Sequence, residues 1–306
     1  MDEKLIEKVK GGLEEKGMEV LDTKKFRRSF LYEVSRFLRG SSNTLGTVFS
    51  TVKKGERKDL LAIQKESAKK ESKGLESVND LDCIEETMEV PKFYLLLEEE
   101  DVVVMDLMDG SALVEILVSN NLILLPRKKK IVEIVKNCGQ ALARLHSKTE
   151  RGRFSPDMDK ISFEAELIPK EIAKKSREML SEDFRFRETF IHSHLAPGNV
   201  IHKNGKLKFI DWAGSGFSSP YFDLHRSREI FKKMDKHFFR LDLMNLWRNF
   251  FDEYKSEISF EFDEEEYHRS RIYLSLRKIT NEDEKGKKEV YVNMLKSSLR
   301  WFAEKR

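Results

Sequence analysis

The chain has 306 residues, of which 39% are hydrophobic and 36% charged, a composition typical of a globular protein with a heavily charged surface. Its formal net charge of +3 is small for this length and excludes a surface built for general nucleic-acid binding. The N-terminus is charged from the second residue, and the longest apolar run, at residues 116–125, is interrupted by polar residues. We therefore expect a cytoplasmic protein without signal peptide, membrane association or nucleic-acid partner. Cys83 and Cys138 lie far apart, which predicts two buried thiols.

The N-terminal segment alternates between helical and strand patterns. Apolar residues at three- and four-residue spacings predict an amphipathic helix at residues 3–18. β-Branched and aliphatic residues predict strands at 47–52 and 60–65, which follow the loop Gly40-Ser41-Ser42-Asn43. The N–H groups and hydroxyls of such a loop can bind phosphate oxygens, although the same residues also form ordinary turns.

A lysine at the end of a strand, followed by an acidic helix, is a second candidate for binding phosphate. Lys65 ends the predicted strand, but a different register would place Gln64 there instead. The helix predicted at 68–81 offers Glu71 and Glu76 as partners of the lysine, and we prefer Glu71 because it is nearer the helix start. A solvated lysine and an exposed helix face are the alternative interpretations.

Two further strands lead into a helical region. They are predicted at 92–97 and 101–108, and the second ends in Asp109-Gly110 before a helix at 113–118. This order suits a hinge between two lobes, lined by backbone groups of Asp106 and Leu107, although such turns occur in many folds.

The remainder of the chain is predominantly helical. Helices are predicted at 130–146, 163–172 and 173–180, and helical patterns extend from Ser227 to the C-terminus. The last segment has a core-forming face made of Phe231, Met234, Phe238, Phe239, Leu243, Leu246, Trp247, Phe250 and Phe251. The sequence thus predicts an α+β protein with a small antiparallel sheet in an N-terminal lobe, residues 1–107, and a larger, mostly helical C-terminal lobe, residues 108–306.

The most informative feature is a hairpin between these helices. Asn204-Gly205 predicts a two-residue type I′ turn, because both central residues of that turn need positive φ. Counting outward from the turn places Asn199 opposite Ile210, with Asp211 one step beyond. Partners across an antiparallel pair lie about 5 Å apart, so an amide and a carboxylate meet at the open end of the hairpin. These oxygen donors suit Mg²⁺, although either residue alone would be an ordinary turn residue.

The sequence around this hairpin resembles the aminoglycoside phosphotransferase and choline kinase family of small-molecule kinases. The family pattern His-Gly-Asp-x-x-Pro-x-Asn is matched by His192, Ser193, His194, Pro197 and Asn199. The family's Ile-Asp-Trp/Phe and Pro-x-x-Asp-Leu are matched by Ile210, Asp211 and Trp212, and by Pro220, Asp223 and Leu224. The resemblance covers roughly residues 30–226.

The resemblance implies a two-lobed protein-kinase-like fold and the transfer of the γ-phosphate of ATP, with Mg²⁺, to a hydroxyl of a small molecule. Under it, Asp223 steadies the catalytic loop. The ATP-binding residues would be Gly40, Ser41, Ser42, Asn43, Lys65, Glu71, Asp106 and Leu107, the last two facing the adenine. The catalytic residues would be His194, Asn199 and Asp211, of which Asn199 and Asp211 would hold the metal.

Two residues depart from the family pattern. Ser193 replaces a glycine, which requires the backbone there to tolerate a Cβ atom. His194 replaces the catalytic aspartate; a neutral imidazole can accept a proton but brings no negative charge. One alternative is therefore a nucleotide-binding pseudokinase that acts through a protein partner. Another is a transition-metal site made of His192, His194 and His202.

Overall fold

The structure, a computed structural model, describes residues 3–25, 45–53, 56–64, 67–82, 84, 88–122, 128–163, 165, 168–180, 183–238, 241–281 and 285–305. Several predicted features lie outside these residues: the loop Gly40-Ser41-Ser42-Asn43, together with Lys65, Cys83 and Phe239.

The described chain alternates between helices and short strands. Its helices are α1 (Glu3–Glu15), α2 (Ala68–Asn79), α3 (Leu113–Leu122), α4 (Lys128–Lys148), α5 (Lys170–Met179), α6 (Tyr221–Asp235), α7 (Leu243–Glu257), α8 (Glu264–Asn281) and α9 (Lys285–Lys305). Its strands are β1 (Glu19–Lys25), β2 (Leu45–Lys53), β3 (Glu56–Gln64), β4 (Phe93–Leu97), β5 (Val102–Asp106), β6 (Ser111–Ala112), β7 (Arg153–Phe154), β8 (Phe186–Arg187), β9 (Thr189–Ile191), β10 (Val200–Lys203), β11 (Lys206–Phe209) and β12 (Gly216–Ser218).

The N-terminal strands form an antiparallel sheet in the order β1-β2-β3-β5-β4. Helix α1 packs against it because Leu5, Val9 and Leu13 recur every four residues and share one face of the helix. These side chains form a core with residues of the sheet, including Leu60 and Val104. The strands predicted in this region are confirmed. Strand β1 was not predicted, because its sequence is mostly polar and it lies at the sheet edge.

The hairpin has the predicted register. Strands β10 and β11 pair from Val200 opposite Phe209 to Lys203 opposite Lys206. Asn204 and Gly205 have φ of +52° and +82°, as the type I′ turn requires. Strand β6 pairs with the other edge of β10, which gives a sheet in the order β11-β10-β6.

The contacts divide the chain into two compact units. The first comprises Met1–Leu145, His192–Gly216 and Arg226–Glu257, and the second comprises His146–Ile191, Phe217–His225 and Ile258–Arg306. The hairpin and the N-terminal sheet belong to the first unit. The division into lobes of residues 1–107 and 108–306 stays a prediction.

The second unit has its own core, in which helices α8 and α9 pack against short strands. Phe186, Phe222 and Tyr273 lie at its centre, with ring centroids 5.8 to 5.9 Å apart. The helix predicted at 163–172 is wrong: the described residues there are irregular, and helix α5 begins at Lys170. Pro169 explains the difference, because it restricts the residue before it to extended conformations and is well placed just before a helix start.

The predicted aromatic face of the C-terminal segment is buried at its described positions except Phe251, which is half-buried. The segment is not one continuous helix but is divided into helices α6 to α9. Cys138 is buried with a free thiol, and burial raises the pKa of that thiol to about 12. Within the described ranges, none of the helices combines the length and the apolar character needed to cross a bilayer.

Candidate functional site

The backbone of the candidate catalytic loop is organised around His192, whose side chain is fully buried. The N–H of His194 donates to Nδ1 of His192 over 3.2 Å, so Nδ1 is an acceptor and the ring proton is on Nε2. Nε2 then donates to the carbonyl oxygen of Ile210 over 3.0 Å, and the ring lies 4.4 Å from that of Trp212. His192 is therefore a neutral link between the loop and the second strand of the hairpin.

This geometry contradicts the transition-metal site of His192, His194 and His202. Both ring nitrogens of His192 are hydrogen-bonded inside the protein, so neither can bind a cation. In the part of the chain that the structure describes, no three His, Cys, Asp or Glu side chains are grouped to hold a metal ion.

Asn199 and Asp211 meet at the open end of the hairpin. The backbone N–H of Ile210 donates to the carbonyl oxygen of Asn199 over 3.0 Å, as the predicted register requires. Asn199 Nδ2 donates to the carbonyl oxygen of His194 over 2.9 Å and lies 3.3 Å from Asp211 Oδ2. The bond to His194 fixes the orientation of the amide and leaves Oδ1 as the atom that can bind a cation. An amide oxygen beside a carboxylate fits Mg²⁺, which completes its octahedron with water and phosphate oxygens.

The candidate catalytic residue His194 lies beside Asp211. Its side chain is 58% exposed, and its Nδ1 is 3.5 Å from Asp211 Oδ2. The backbone of His194 is fixed, because its carbonyl oxygen accepts from the N–H of Ala196 as well as from Asn199. The structure thus brings the three predicted catalytic residues, His194, Asn199 and Asp211, together at one place.

Ser193 has a backbone conformation that favours glycine. Its φ is +71°, in the left-handed region that costs a residue with a Cβ atom about 1–3 kcal/mol. The guanidinium of Arg226 donates to both the carbonyl oxygen and the hydroxyl oxygen of Ser193. These bonds offset the strain and hold the peptide that precedes His194. Sequence reasoning missed Arg226, because nothing in the local pattern distinguishes it from other helical arginines.

Helix α2 positions the segment that follows Asp211. The carboxylate of Glu71 is fully buried and accepts from the backbone N–H of Trp212 over 3.0 Å. One turn later, a Cβ atom built on Gly74 would lie 2.0 Å from the carbonyl oxygen of Trp212, so only glycine permits this approach. Glu71 was predicted as the partner of Lys65. That pairing stays a prediction, and the contact with Trp212 was not foreseen.

The predicted adenine-facing residues are at the end of strand β5. The N–H of Asp106 donates to the carbonyl oxygen of Lys92 over 3.0 Å, and the N–H of Leu107 donates to that of Asp59 over 3.1 Å. Because both N–H groups are already bonded within the protein, an adenine could form hydrogen bonds only with the backbone carbonyl oxygens of these residues. The adenine-facing role of Asp106 and Leu107 stays a prediction. The Asp106 carboxylate is 2.8 Å from Lys58 Nζ.

Ion pairs connect the hairpin to the turn after strand β5. Lys203 and Lys208 both pair with the carboxylate of Asp109, and Lys208 also lies 3.2 Å from Glu89. The hydrogen bond from Lys203, followed in importance by that from Lys208, lowers the pKa of Asp109 to about 2. The positions of these lysines along the strands are those of ordinary solvent-exposed residues. The sequence alone therefore did not indicate this network.

Asp223 belongs to the second unit, where it pairs with His146. Nε2 of His146 is 3.3 Å from Asp223 Oδ2, and both side chains are fully buried. The predicted role of Asp223 in steadying the catalytic loop stays a prediction.

No protein-family model and no curated protein matches the sequence, whereas solved structures match its fold. The macrolide 2′-phosphotransferase MphH from Brachybacterium faecium is 11% identical, with a TM-score of 0.53 over 94% of this chain and 98% of that chain. A protein assigned as a fructosamine-3-kinase from Haemophilus somnus is also 11% identical, with a TM-score of 0.52 over 96% of each chain. The predicted α+β, two-lobed protein-kinase-like fold is therefore confirmed, and the chain shares this fold with small-molecule phosphotransferases.

Proposed function

We propose that this protein is an ATP- and Mg²⁺-dependent phosphotransferase that transfers the γ-phosphate to a hydroxyl of a small molecule. The observation that supports this most is the convergence of His194, Asn199 and Asp211 at the open end of one hairpin. The shared fold with a macrolide phosphotransferase and an assigned fructosamine kinase is consistent with such a substrate class.

Each residue has a distinct task in this proposal. Asn199 Oδ1 and the Asp211 carboxylate would hold Mg²⁺, which supplies charge neutralisation at the phosphates. Glu71 and the buried ring of His192 keep Asp211 and the loop in place through backbone hydrogen bonds. The predicted phosphate-binding residues Gly40 to Asn43 and Lys65, and the adenine-facing Asp106 and Leu107, complete the proposed ATP site.

His194 occupies the position of the proton acceptor. A neutral imidazole can take the proton of a substrate hydroxyl, a role worth about 10²–10⁴ in rate. Because phosphoryl transfer depends mainly on positioning and charge neutralisation, the missing carboxylate need not abolish turnover.

The second candidate is a pseudokinase that binds nucleotide and acts through a protein partner. The observation that favours it is the imidazole of His194 in place of a carboxylate, since imidazole adds no negative charge beside the metal ligands.

The release of ADP separates the two functions. Wild type and His194→Ala are incubated with ATP, Mg²⁺ and a panel of amino-sugars, macrolides and amino-alcohols, and ADP is measured with and without each compound. The phosphotransferase predicts substrate-dependent ADP release that falls in His194→Ala. The proposal would be contradicted if none of the compounds caused ADP release, if ATP binding were retained and if His194→Asp gained no activity. This result would favour the pseudokinase.

A further inference from the structure

The distances in the catalytic hairpin place a nitrogen ligand next to the proposed cation site. Nδ1 of His194 is 3.5 Å from Asp211 Oδ2, and the Asn199 amide Nδ2 donates a hydrogen bond to the same oxygen over 3.3 Å. Two ligands at right angles on one octahedral cation, each with a bond of about 2.1 Å, lie about 3.0 Å apart. A shift of about half an ångström would therefore bring His194 Nδ1 and Asp211 Oδ2 to the separation of two neighbouring ligands on one cation.

The contacts around His194 fix its backbone but leave its ring room to turn. The N–H and the carbonyl oxygen of His194 are both hydrogen-bonded within the loop, whereas its side chain is 58% exposed. The amide of Asn199 donates through Nδ2 to the carbonyl oxygen of His194, so its Oδ1 would be the atom available as a third ligand. His192, two residues earlier, differs in this respect because both of its ring nitrogens are engaged in the protein.

We propose that His194 is a metal ligand, and that His194 Nδ1, Asp211 Oδ2 and Asn199 Oδ1 form a site for a first-row transition-metal dication. Mg²⁺ prefers all-oxygen ligands, whereas an imidazole increases affinity for transition-metal ions. The phosphate oxygens of the nucleotide and water would complete the coordination.

This inference rests on the nucleotide–cation site of the proposed function, but it gives His194 a different task. A lone pair on Nδ1 that binds a cation cannot accept a proton, and the other ring nitrogen then carries the remaining proton. His194 would replace the aspartate of related kinases as a ligand and not as a base.

Electron spin echo envelope modulation with Mn²⁺ and ATP tests the proposal directly. A directly bound imidazole gives ¹⁴N modulation of the Mn²⁺ signal, and the adenine nitrogens contribute equally to every sample. We expect this modulation in wild type and its loss in His194→Ala. His202→Ala is the matched control, since His202 is on the same hairpin three residues beyond Asn199, and it should retain the modulation.

Cation competition gives a second, independent readout. Mg²⁺ is titrated against bound Mn²⁺ in the presence of ATP, and the ratio of the two affinities is compared between wild type and His194→Asp. The preference for Mn²⁺ should fall at least about tenfold in His194→Asp, the lower end of what disturbing a metal site costs.

The outcomes distinguish this inference from the function on which it rests. Mn²⁺ binding with ATP, but with the same ¹⁴N modulation in wild type and His194→Ala, would overturn the imidazole ligand and leave the ATP–cation site standing. An absence of divalent-cation binding, with or without ATP, would overturn both. A melting temperature of His194→Ala close to that of wild type confirms that the exposed ring is not needed for folding.

Discussion

Replacing Gly74 by alanine tests whether helix α2 positions the segment after Asp211. A Cβ atom at this position would lie 2.0 Å from the carbonyl oxygen of Trp212 and 2.8 Å from the hydroxyl of Ser215. The first contact is with backbone, which cannot rotate away as a flexible side chain can. Either the helix or the Asp211–Trp212 segment must therefore move.

The expected loss of stability follows from two opposing effects. Alanine in a helix interior is about 1 kcal/mol more favourable than glycine. Overpacking a close contact costs about 1–3 kcal/mol, and a backbone contact this short belongs at the upper end of that range. The net loss in Gly74→Ala should therefore be about 2 kcal/mol.

Gly11 provides a matched control on another helix. A Cβ atom at Gly11 meets nothing within 4 Å, so Gly11→Ala should gain stability of up to about 1 kcal/mol from helix propensity alone. Urea denaturation of the two variants should thus show a difference of about 3 kcal/mol between them.

The same substitution should affect the proposed cation site. Movement of the segment that follows Asp211 would weaken Mn²⁺ binding in the presence of ATP in Gly74→Ala but not in Gly11→Ala. Equal stability of Gly74→Ala and Gly11→Ala, with equal Mn²⁺ affinity, would refute the packing of α2 against Trp212.

Two further predictions concern the contacts around the hairpin of strands β10 and β11. Arg226→Leu removes two charged hydrogen bonds to Ser193 and should cost about 2 kcal/mol in urea denaturation. Arg228→Leu, two residues away, loses a contact with the Trp247 ring and should cost under about 1 kcal/mol, so equal losses would contradict the role of Arg226. The folded-state pKa of Asp109, about 2, lies below its unfolded value, so its ion pairs stabilise the protein above about pH 4 and this stability is lost as the pH falls towards 2. Lys203→Met should raise the pKa of Asp109 in an NMR titration, whereas Lys206→Met, which removes only a pair with Glu89, should leave it unchanged; a low pKa retained in Lys203→Met would contradict the account.

The elements that the sequence predicted correctly are those with strong local signals. The Asn204-Gly205 turn determines the hairpin register by itself, because few residues adopt positive φ at both central positions. The regular spacing of Leu5, Val9 and Leu13 predicts helix α1 in the same way. Strand β1 and the short strands of the second unit were missed, since edge strands and strands of two or three residues owe their conformation to tertiary neighbours.

The candidate site was predictable to the extent that it is local. Asn199 and Asp211 are paired by the hairpin, and His194 lies within the same motif, so the structure brings them together as predicted. The contacts of Arg226 with Ser193 and of Glu71 with Trp212 join residues 33 and 141 positions apart. Such pairings depend on how the elements pack, which the pattern of a single sequence does not encode.

Binding of ATP with Mg²⁺, read from thermal unfolding, is the sharpest test of the proposed nucleotide–cation site. At a concentration about a hundredfold above its dissociation constant, ATP with Mg²⁺ should raise the free energy of unfolding of wild type by about 2.7 kcal/mol. The stabilisation should be lost in Asp211→Asn and retained in Asp109→Asn, which removes the same charge from a residue that is not among those proposed to bind ATP or Mg²⁺ and that pairs with Lys203 and Lys208. A wild type that ATP with Mg²⁺ leaves at its original melting temperature, or an Asp211→Asn variant stabilised as much as wild type, would contradict the proposed nucleotide–cation site.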